Sequence, residues 1–273
     1  MPAFVSRIGV YGLGRFGSFY ARLLSGLAPV CAYSRSSGRS TPADVTRVGE
    51  EELLGCPVVI LCVAISALPE VLRRIAPRLA ANTLVMDTCS VKAQPAAWME
   101  ELLPESVRIL ATHPMFGPDS SAAGIAGLPL ILCPVRIGEA DLEGWRRCFE
   151  SLGLAVRRMS PADHDREAAV TQGLTHFVGR VLAEMGLQPS PIASVGYRKL
   201  LEIIEQTCND SWQLFLDLQR HNPYTREMRQ NLERSLSKVR SRLDADPMAT
   251  TSPAVESPAP AEPEPGGSGG SVP

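Results

Sequence analysis

Near its start, the chain reads Ile8-Gly9-Val10-Tyr11-Gly12-Leu13-Gly14-Arg15-Phe16-Gly17. An apolar run over 5–11 predicts a first β-strand, and a helix is expected to begin directly after the glycines. This GxGxxG spacing is typical of a dinucleotide site: Gly12 permits the tight turn, Gly14 lets a pyrophosphate approach the backbone, and Gly17 lets helix and strand pack closely. The helix would offer free N–H groups and the positive end of its dipole to the phosphates; a glycine-rich turn that binds no nucleotide is the alternative. The predicted cofactor-binding residues here are Gly12, Leu13, Gly14, Arg15, Phe16 and Gly17.

The second predicted strand, 29–33, leads into Ser34-Arg35-Ser36-Ser37. Sites that prefer NAD usually carry an acidic residue at this point, which bonds to the ribose 2′-hydroxyl. This chain has none there, and an arginine among serines suits a 2′-phosphate, because a guanidinium makes charge-assisted, bidentate bonds to phosphate. We therefore predict NADP rather than NAD, bound through Ser34, Arg35 and Ser36. A solvated polar loop is the alternative.

Apolar runs alternate with helical segments as far as about residue 160. Further strands are predicted at 57–63, 83–87, 107–112, 128–132 and 154–159, with helices at 67–79, 94–102 and 139–151. This alternation indicates an α/β fold with a Rossmann-type, doubly wound parallel sheet. Because ligands bind beyond the carboxyl ends of such strands, candidate residues that follow strands are expected to meet at one edge. Four residues follow predicted strands: Gly12, Arg35, Ser90 and His113.

The pattern changes after Ser160, and the chain is predicted to be helical to about residue 244. The helices are expected at 163–185, 195–207, 210–220 and 223–243. We therefore divide the chain into a dinucleotide-binding domain (1–160), a smaller all-helical substrate and dimerisation domain (161–244) and a tail (245–273). Residues 247–273 are rich in Pro, Ala, Ser, Glu and Gly. Such a segment cannot bury enough apolar surface to offset the entropy of ordering, so we expect it to be disordered.

A histidine lies in the stretch Thr112-His113-Pro114-Met115-Phe116-Gly117-Pro118, directly after the strand predicted at 107–112. Proline restricts the residue before it to extended backbone, so Pro114 leaves His113 few conformations. Because the ordinary pKa of histidine is about 6.5, a histidine held in this way is a candidate general base. A turn with a hydrogen-bonded histidine is the alternative.

The first predicted helix of the second domain carries a polar face. Gln172, Thr175 and His176 have the i, i+3, i+4 spacing that places side chains on one side of a helix. They can line a cleft against the other domain or form a structural hydrogen-bonded cluster at the interface. Asp163 is a candidate N-cap of this helix.

The composition excludes several classes of protein. The chain has 273 residues and a formal net charge of −2, and it carries no basic stripe, so nucleic acid is not an expected partner. No apolar run reaches the roughly 18 residues of a membrane span, and no signal peptide is predicted. Seven cysteines without a CxxC pair indicate reduced thiols in the cytoplasm rather than disulfides or a zinc site. No metal site is predicted.

These motifs together resemble the prephenate/arogenate dehydrogenase family. The resemblance is carried by the glycine motif, by the histidine stretch at 112–118, and by Asp87-Thr88-Cys89-Ser90-Val91-Lys92, Thr171-Gln172-Gly173-Leu174-Thr175-His176 and Asn209-Asp210-Ser211-Trp212-Gln213-Leu214-Phe215. It covers about residues 5–243, and the plant-like arogenate dehydrogenases, which generally use NADP, look most similar. The resemblance implies an oxidative decarboxylation: hydride leaves C4 of a cyclohexadiene for the nicotinamide, the C4 hydroxyl loses its proton, and carbon dioxide leaves C1.

The resemblance also implies roles for individual residues. His113 would be the base, and Ser90 would hydrogen-bond at the same hydroxyl and at the nicotinamide. Lys92 would either bind substrate or cap a loop, and His164-Asp165 matches a contact at an interdomain hinge. The polar face of the helical domain would meet the substrate through Gln172, Thr175 and His176.

Two charged positions bear on the substrate. Some bacterial members of the family carry an arginine, near the position of Gln206 here, that grips a substrate carboxylate; Arg198, about two helical turns earlier, is the nearest candidate in this chain. Asp210 lies where arogenate-specific relatives are acidic, and a carboxylate would attract the ammonium of arogenate but not the keto group of prephenate. Asp210 is alternatively the N-cap of the next helix.

Other functions remain open. Three alternatives are a prephenate dehydrogenase, a dehydrogenase of an amino-substituted prephenate in a specialised pathway, and a non-enzymatic NADP-binding redox sensor. The β-hydroxyacid dehydrogenases share the two-domain plan but need a lysine on the first helix after the sheet, and this chain has no lysine between 163 and 186. An apolar stripe over 228–243, together with the resemblance, suggests a homodimer.

Overall fold

The computed structural model describes residues 6–245 of the chain. Within that range eight strands form one sheet, ordered β3-β2-β1-β4-β5-β6-β7-β8. The strands are β1 (Ile8–Tyr11), β2 (Val30–Tyr33), β3 (Val45–Arg47), β4 (Val58–Leu61), β5 (Leu84–Asp87), β6 (Arg108–Pro114), β7 (Pro129–Arg136) and β8 (Ala155–Arg158). The first six run parallel, and the order reverses beside β1. That reversal defines a doubly wound sheet, so the predicted Rossmann-type class is confirmed.

The far end of the sheet differs from the prediction. β7 pairs antiparallel with β6, and β8 pairs parallel with β7, so the last two strands run opposite to the first six. A parallel crossover usually needs an intervening helix, whereas only turns connect β6 to β7. β6 also continues to Pro114. His113 therefore lies within the strand, opposite Ile131 of β7, and not after the strand as predicted.

Helices cover both faces of the sheet. They are α1 (Arg15–Leu24), α2 (Glu50–Leu54), α3 (Leu68–Ile75), α4 (Ala93–Leu102) and α5 (Glu139–Ser151). One face buries Tyr20 of α1 and Trp145 of α5, and the other buries Leu72 of α3 and Met99 of α4. Because β4 is covered on both sides, all four of its residues are buried, which explains its uninterrupted apolar sequence. The carboxyl edge of the sheet is the part left open for a ligand.

The chain after β8 is helical. Its helices are α6 (Pro161–Ala168), α7 (Leu174–Glu184), α8 (Val195–Cys208), α9 (Trp212–His221) and α10 (Thr225–Asp244). A π-helical turn, Ala169–Gly173, joins α6 to α7, and such turns are frequent at functional sites. The cap prediction for Asp163 was wrong: the Ser160 hydroxyl is the N-cap and accepts the Asp163 N–H at 3.1 Å. Within residues 6–245, no helix is both long enough and apolar enough to cross a membrane.

The chain divides into two compact units, one up to Gln230 and one from Asn231 onward. The sheet and helices α6 to α9 belong to the first unit, so the site described below lies within a single unit. The predicted domain boundaries at 160 and 244 stay predictions. The tail predicted to be disordered, 247–273, lies outside the described residues.

Candidate active site

A cleft of about 720 Å³ opens at the carboxyl edge of the sheet, against helices α7 to α9. Its volume falls in the range of small-molecule sites, roughly 300–1,000 Å³. Most of the predicted site residues line this cleft, from both the sheet and the helical segment. They are Gly14, Arg15, Phe16, Gly17, Ser90, His113, Gln172, Thr175, His176 and Asp210. The folded chain thus brings together residues that are up to about 200 positions apart in sequence.

The glycine loop has the geometry that a dinucleotide requires. Gly12 has a φ of 112°, and a Cβ at this position would overlap the carbonyl of Cys62. A Cβ at Gly17 would overlap the carbonyl of Gly12, so both positions need glycine for packing. At Gly14, by contrast, a Cβ would meet nothing within 4 Å. Packing therefore does not explain the glycine there, whereas close approach of a pyrophosphate does.

The loop after β2 lies outside the cleft, and Arg35 and Ser36 are exposed on it. Arg47 of β3 reaches this loop and donates hydrogen bonds to the carbonyls of Ser36, at 2.9 Å, and of Arg39. Nothing in the sequence indicated Arg47, because its strand is only three residues long and Arg47 lies 10 positions after Ser37. A second guanidinium thus holds the loop that carries Arg35.

Two polar atoms in the cleft are buried without a hydrogen-bond partner among residues 6–245: the hydroxyl Oγ of Ser90 and Oε1 of Gln172. A buried polar group that forms no hydrogen bond costs about 1–3 kcal/mol, so such atoms on a cavity wall indicate a bound ligand. The Thr175 hydroxyl differs from them, because it already donates to the carbonyl of Thr171 at 2.7 Å.

His113 is buried, and its Nδ1 lies 2.8 Å from Nε2 of His164. Nδ1 of His164 in turn lies 2.8 Å from Oδ1 of Asp165. Burial, and then the neighbouring His164, Lys92 and His176, hold the pKa of His113 well below its ordinary value. The imidazole is therefore neutral at neutral pH, which is the state that a general base needs. The pair predicted as a hinge contact lies directly behind this histidine.

His176 also lines the cleft as a neutral imidazole, because burial and then Arg180 lower its pKa to about 4. Arg180 follows one turn later on α7. Its guanidinium donates to the carbonyl of Asp210 at 2.5 Å and lies 4.8 Å from the ring centroid of Trp212. Arg180 thus fixes the backbone at Asp210, a contact that helical spacing within α7 gave no means to predict.

Asp210 faces the cleft with 28% of its side chain exposed, and its Oδ1 lies 3.6 Å from the guanidinium of Arg15. Burial raises the pKa of this carboxyl, with a smaller contribution from Asp119 and opposition from Arg15. The alternative that Asp210 caps α9 was wrong. Ser211 is the N-cap, and its hydroxyl accepts the N–H of Leu214 at 3.2 Å.

Two predicted substrate-binding residues do not reach the cleft. Lys92 is fully buried; its ammonium pairs with Asp87 and donates to the carbonyl of Thr112 at 2.6 Å. Of the two roles predicted for Lys92, substrate binding and support of a loop, these contacts fit support of a loop. Arg198 is exposed at the start of α8 and donates to the carbonyl of Ala193 at 2.7 Å. Gln206, near the position to which the resemblance assigns an arginine in some bacterial members, does line the cleft.

Two family models match the chain. The nucleotide-binding domain of prephenate dehydrogenase matches residues 34–157, which include Ser90 and His113. A TYRAAT1-like C-terminal domain matches residues 181–252. The first match begins directly after β2 and ends within β8, and the second begins within α7, includes α8 to α10 and extends past the described residues.

Two plant proteins and one solved structure are among the similar proteins. Arogenate dehydrogenase 2, chloroplastic, from Arabidopsis thaliana is 36% identical over 249 residues, which are 87% of this chain and 70% of that protein. Arogenate dehydrogenase 1, chloroplastic, from the same plant is 35% identical over 253 residues, and the match spans only 39% of its length. The crystal structure of prephenate dehydrogenase from A. aeolicus with hydroxyphenyl propionate and NAD+ has a TM-score of 0.72 at 18% identity, covering 89% of this chain and 92% of that one. At that identity the likeness shows the fold.

Proposed function

This chain belongs to the prephenate/arogenate dehydrogenase family, and we propose that it catalyses the NADP-dependent oxidative decarboxylation of arogenate to tyrosine. As a member of that family it is an oxidoreductase. The observation that carries the proposal is a single cleft that holds a neutral histidine, an unpartnered serine hydroxyl and a carboxylate: His113, Ser90 and Asp210.

The reaction converts a cyclohexadiene, with a carboxylate on C1 and a hydroxyl on C4, into a phenol. NADP, when bound at the glycine loop, supplies the acceptor for the hydride from C4. His113 takes the proton of the C4 hydroxyl, and carbon dioxide leaves C1 as the ring becomes aromatic. The Ser90 hydroxyl, which has no partner within the described residues, would hydrogen-bond to the C4 oxygen and hold it against His113.

The choice of NADP is supported by the loop after β2. No carboxylate lies among residues 34–37 to hold a ribose 2′-hydroxyl. Arg35 is exposed on the loop, and Arg47 holds the loop from the adjacent strand. Arg35→Ala should weaken NADP more than NAD by about 1.5–3 kcal/mol, the contribution of a charged hydrogen bond.

The choice of arogenate is supported by Asp210. Because Ser211 performs the capping, the carboxylate of Asp210 is left facing the cleft. Arogenate carries an ammonium on its side chain where prephenate carries a keto group, so only arogenate gains an ion pair there. Prephenate dehydrogenase activity is the alternative that the family also allows.

We further propose a homodimer and a cytoplasmic location. Three apolar side chains of α10 are exposed: Leu236 by 62%, Val239 by 57% and Leu243 by 80%. Such a stripe favours pairing between subunits. The cytoplasmic location rests on the seven cysteines, which are all free.

The test is steady-state kinetics with all four combinations of substrate and cofactor. We expect the highest kcat/KM with arogenate and NADP. A preference for prephenate would contradict the substrate assignment, and a preference for NAD would contradict the cofactor assignment. No turnover with either substrate would contradict the function itself.

A further inference from the structure

A chain of three buried polar side chains runs inward from the cleft. It joins Nδ1 of His113 to Nε2 of His164 at 2.8 Å, and Nδ1 of His164 to Oδ1 of Asp165 at 2.8 Å. All three residues are at most 3% exposed. A pair of buried histidines in line with a buried carboxylate is more than a hinge contact requires, because each added buried polar group must be satisfied at a cost.

The carboxylate at the inner end can only accept hydrogen bonds. Oδ1 of Asp165 accepts the N–H of Lys92 at 2.7 Å, and Oδ2 accepts the N–H of Ala93 at 2.9 Å. These are N–H groups at the start of α4, where the helix dipole favours a negative charge. Both oxygens thus face donors, an arrangement that an ionised carboxylate, which only accepts hydrogen bonds, satisfies fully.

The positions of the hydrogens between His113, His164 and Asp165 follow from the charge on Asp165. An ionised carboxylate has no hydrogen to give, so the hydrogen between Asp165 and His164 is on Nδ1 of His164. In a neutral His164, Nε2 is then an acceptor, and His113 must donate from its own Nδ1. The nitrogen of His113 left for the cleft is Nε2, and it carries a lone pair.

We propose that His164 and Asp165 are positioning residues that set the tautomer of the base in this reaction. They hold Nδ1 of His113 protonated, so that Nε2 stays free to take the substrate proton. The inference rests on the function proposed above and names two further residues on which its chemistry depends.

The proton and electrons balance in this arrangement. The O–H bond at C4 breaks, and an N–H bond forms at Nε2 of His113. The hydride leaves C4 for NADP, and the electrons of the C1–carboxylate bond enter the ring as carbon dioxide departs. His113 becomes an imidazolium whose Nδ1–H still donates to His164, and it returns the proton from Nε2 to the phenolate oxygen, so that the product leaves as the phenol and the base is neutral again. The negative charge of Asp165, which His164 connects to His113 through hydrogen bonds, stabilises this imidazolium.

Other titratable groups near His113 do not disturb the hydrogen bonds among His113, His164 and Asp165. The ammonium of Lys92 is occupied by Asp87 and the carbonyl of Thr112. His176, across the cleft, is not in hydrogen-bond contact with Nδ1 of His113, whose partner is His164. Neither group competes for the Nδ1 hydrogen.

The first test needs no substrate. The chain has four histidines, so two-bond ¹H–¹⁵N NMR spectra of protein labelled with ¹⁵N-histidine resolve each ring, and assignment follows from single His→Gln variants. We expect His113 and His164 both to be protonated at Nδ1 and bare at Nε2. Asp165→Asn, whose amide can donate to His164, should move both hydrogens to Nε2. A wild-type His113 protonated at Nε2 would overturn the proposal, even if the enzyme turns over arogenate.

The second test separates positioning from folding. His164→Gln keeps an acceptor for the Nδ1–H of His113, whereas His164→Leu removes it. We expect the Leu variant and Asp165→Asn to lose about 10²-fold or more in kcat, with KM little changed, and the Gln variant to recover much of that loss. The proposal fails if the Gln and Leu variants are equally impaired.

A matched control measures structural damage at the same place. Asn222→Ala removes the hydrogen bond that the Asn222 amide donates to the backbone carbonyl of Asp165, at 2.8 Å, without touching the histidines. It should lower thermal stability and leave kcat close to wild type. If its kcat falls as far as that of His164→Leu, the effect is structural and the proposal is overturned. Failure of the proposed function would appear separately, as absent turnover in a wild type whose tautomers are as expected.

Discussion

Among individual residues, His113 is the one whose chemistry follows most directly from its surroundings. Burial disfavours its charged form, and His164, Lys92 and His176 add to that effect. The residue is therefore ready to accept a proton without first having to lose one. Its lowered pKa thus comes first from burial, and the contact of its Nδ1 with His164 fixes the position of the ring.

Removing this base should stop turnover without unfolding the protein. His113→Asn should keep the fold and NADP binding, because His113 lies outside the glycine loop, and should lower kcat by about 10²–10⁴-fold. The measurements are kcat on arogenate and the dissociation constant of NADP. Near-normal turnover in a folded variant would remove His113 from the mechanism.

The same residue should set the acid limit of activity. The base works only when unprotonated, and its pKa lies below the ordinary value of about 6.5. As pH falls from neutral, kcat should therefore stay level to about 6.5 and decline only as pH passes through the lowered pKa. A decline that begins above pH 7 would show that another group limits the acid side.

Asp210 should control the choice between substrates. Asp210→Asn should shift kcat/KM from arogenate toward prephenate by about 10- to 150-fold, the equivalent of a 1.5–3 kcal/mol charged contact. Ser211→Ala is the matched control: it removes the true cap, should cost about 1 kcal/mol of stability, and should leave the substrate ratio alone. A drop in thermal stability for Asp210→Asn with an unchanged ratio would show that the carboxylate is structural.

Among the elements, the glycine loop contains one glycine that packing requires, Gly17, and one that we expect to serve cofactor binding, Gly14. A methyl group at Gly17 would overlap backbone, whereas one at Gly14 would enter open space. Gly17→Ala should therefore destabilise the fold by about 1–3 kcal/mol, while Gly14→Ala should keep the wild-type melting temperature and bind NADP more weakly. Equal loss of stability in the two variants would contradict this division.

Local sequence predicted the positions of the secondary-structure elements better than it predicted strand directions and tertiary contacts. The GxGxxG motif and the apolar runs predicted the sheet, because strand burial leaves a direct mark on sequence. The reversal of β7 left no such mark, since an apolar strand reads alike in either direction. The partners of Lys92 and of His164 could not be predicted for a related reason: Asp87 and Thr112 for Lys92, and His113 for His164, are brought to them by tertiary packing.

At the scale of the whole molecule, the exposed stripe on α10 points to assembly. Light scattering at micromolar concentration should give the mass of a dimer, and the double variant Leu236→Asp, Val239→Asp should give a monomer, because two charges in an apolar interface are costly to desolvate. Ser237→Asp, at a neighbouring exposed position, should stay dimeric. Deleting residues 247–273 should leave the protein dimeric and its activity unchanged. A monomeric wild type would contradict the proposed dimer.

The proposed function requires that one reaction takes place in one cleft. The most direct measurement is product stoichiometry: the wild-type protein is incubated with arogenate and NADP, and tyrosine, carbon dioxide and NADPH are quantified together. We expect the three products to appear in equal amounts, and His113→Asn to suppress all three in parallel. NADPH formed without tyrosine and carbon dioxide, or no reaction in a protein that binds NADP, would contradict the proposed function.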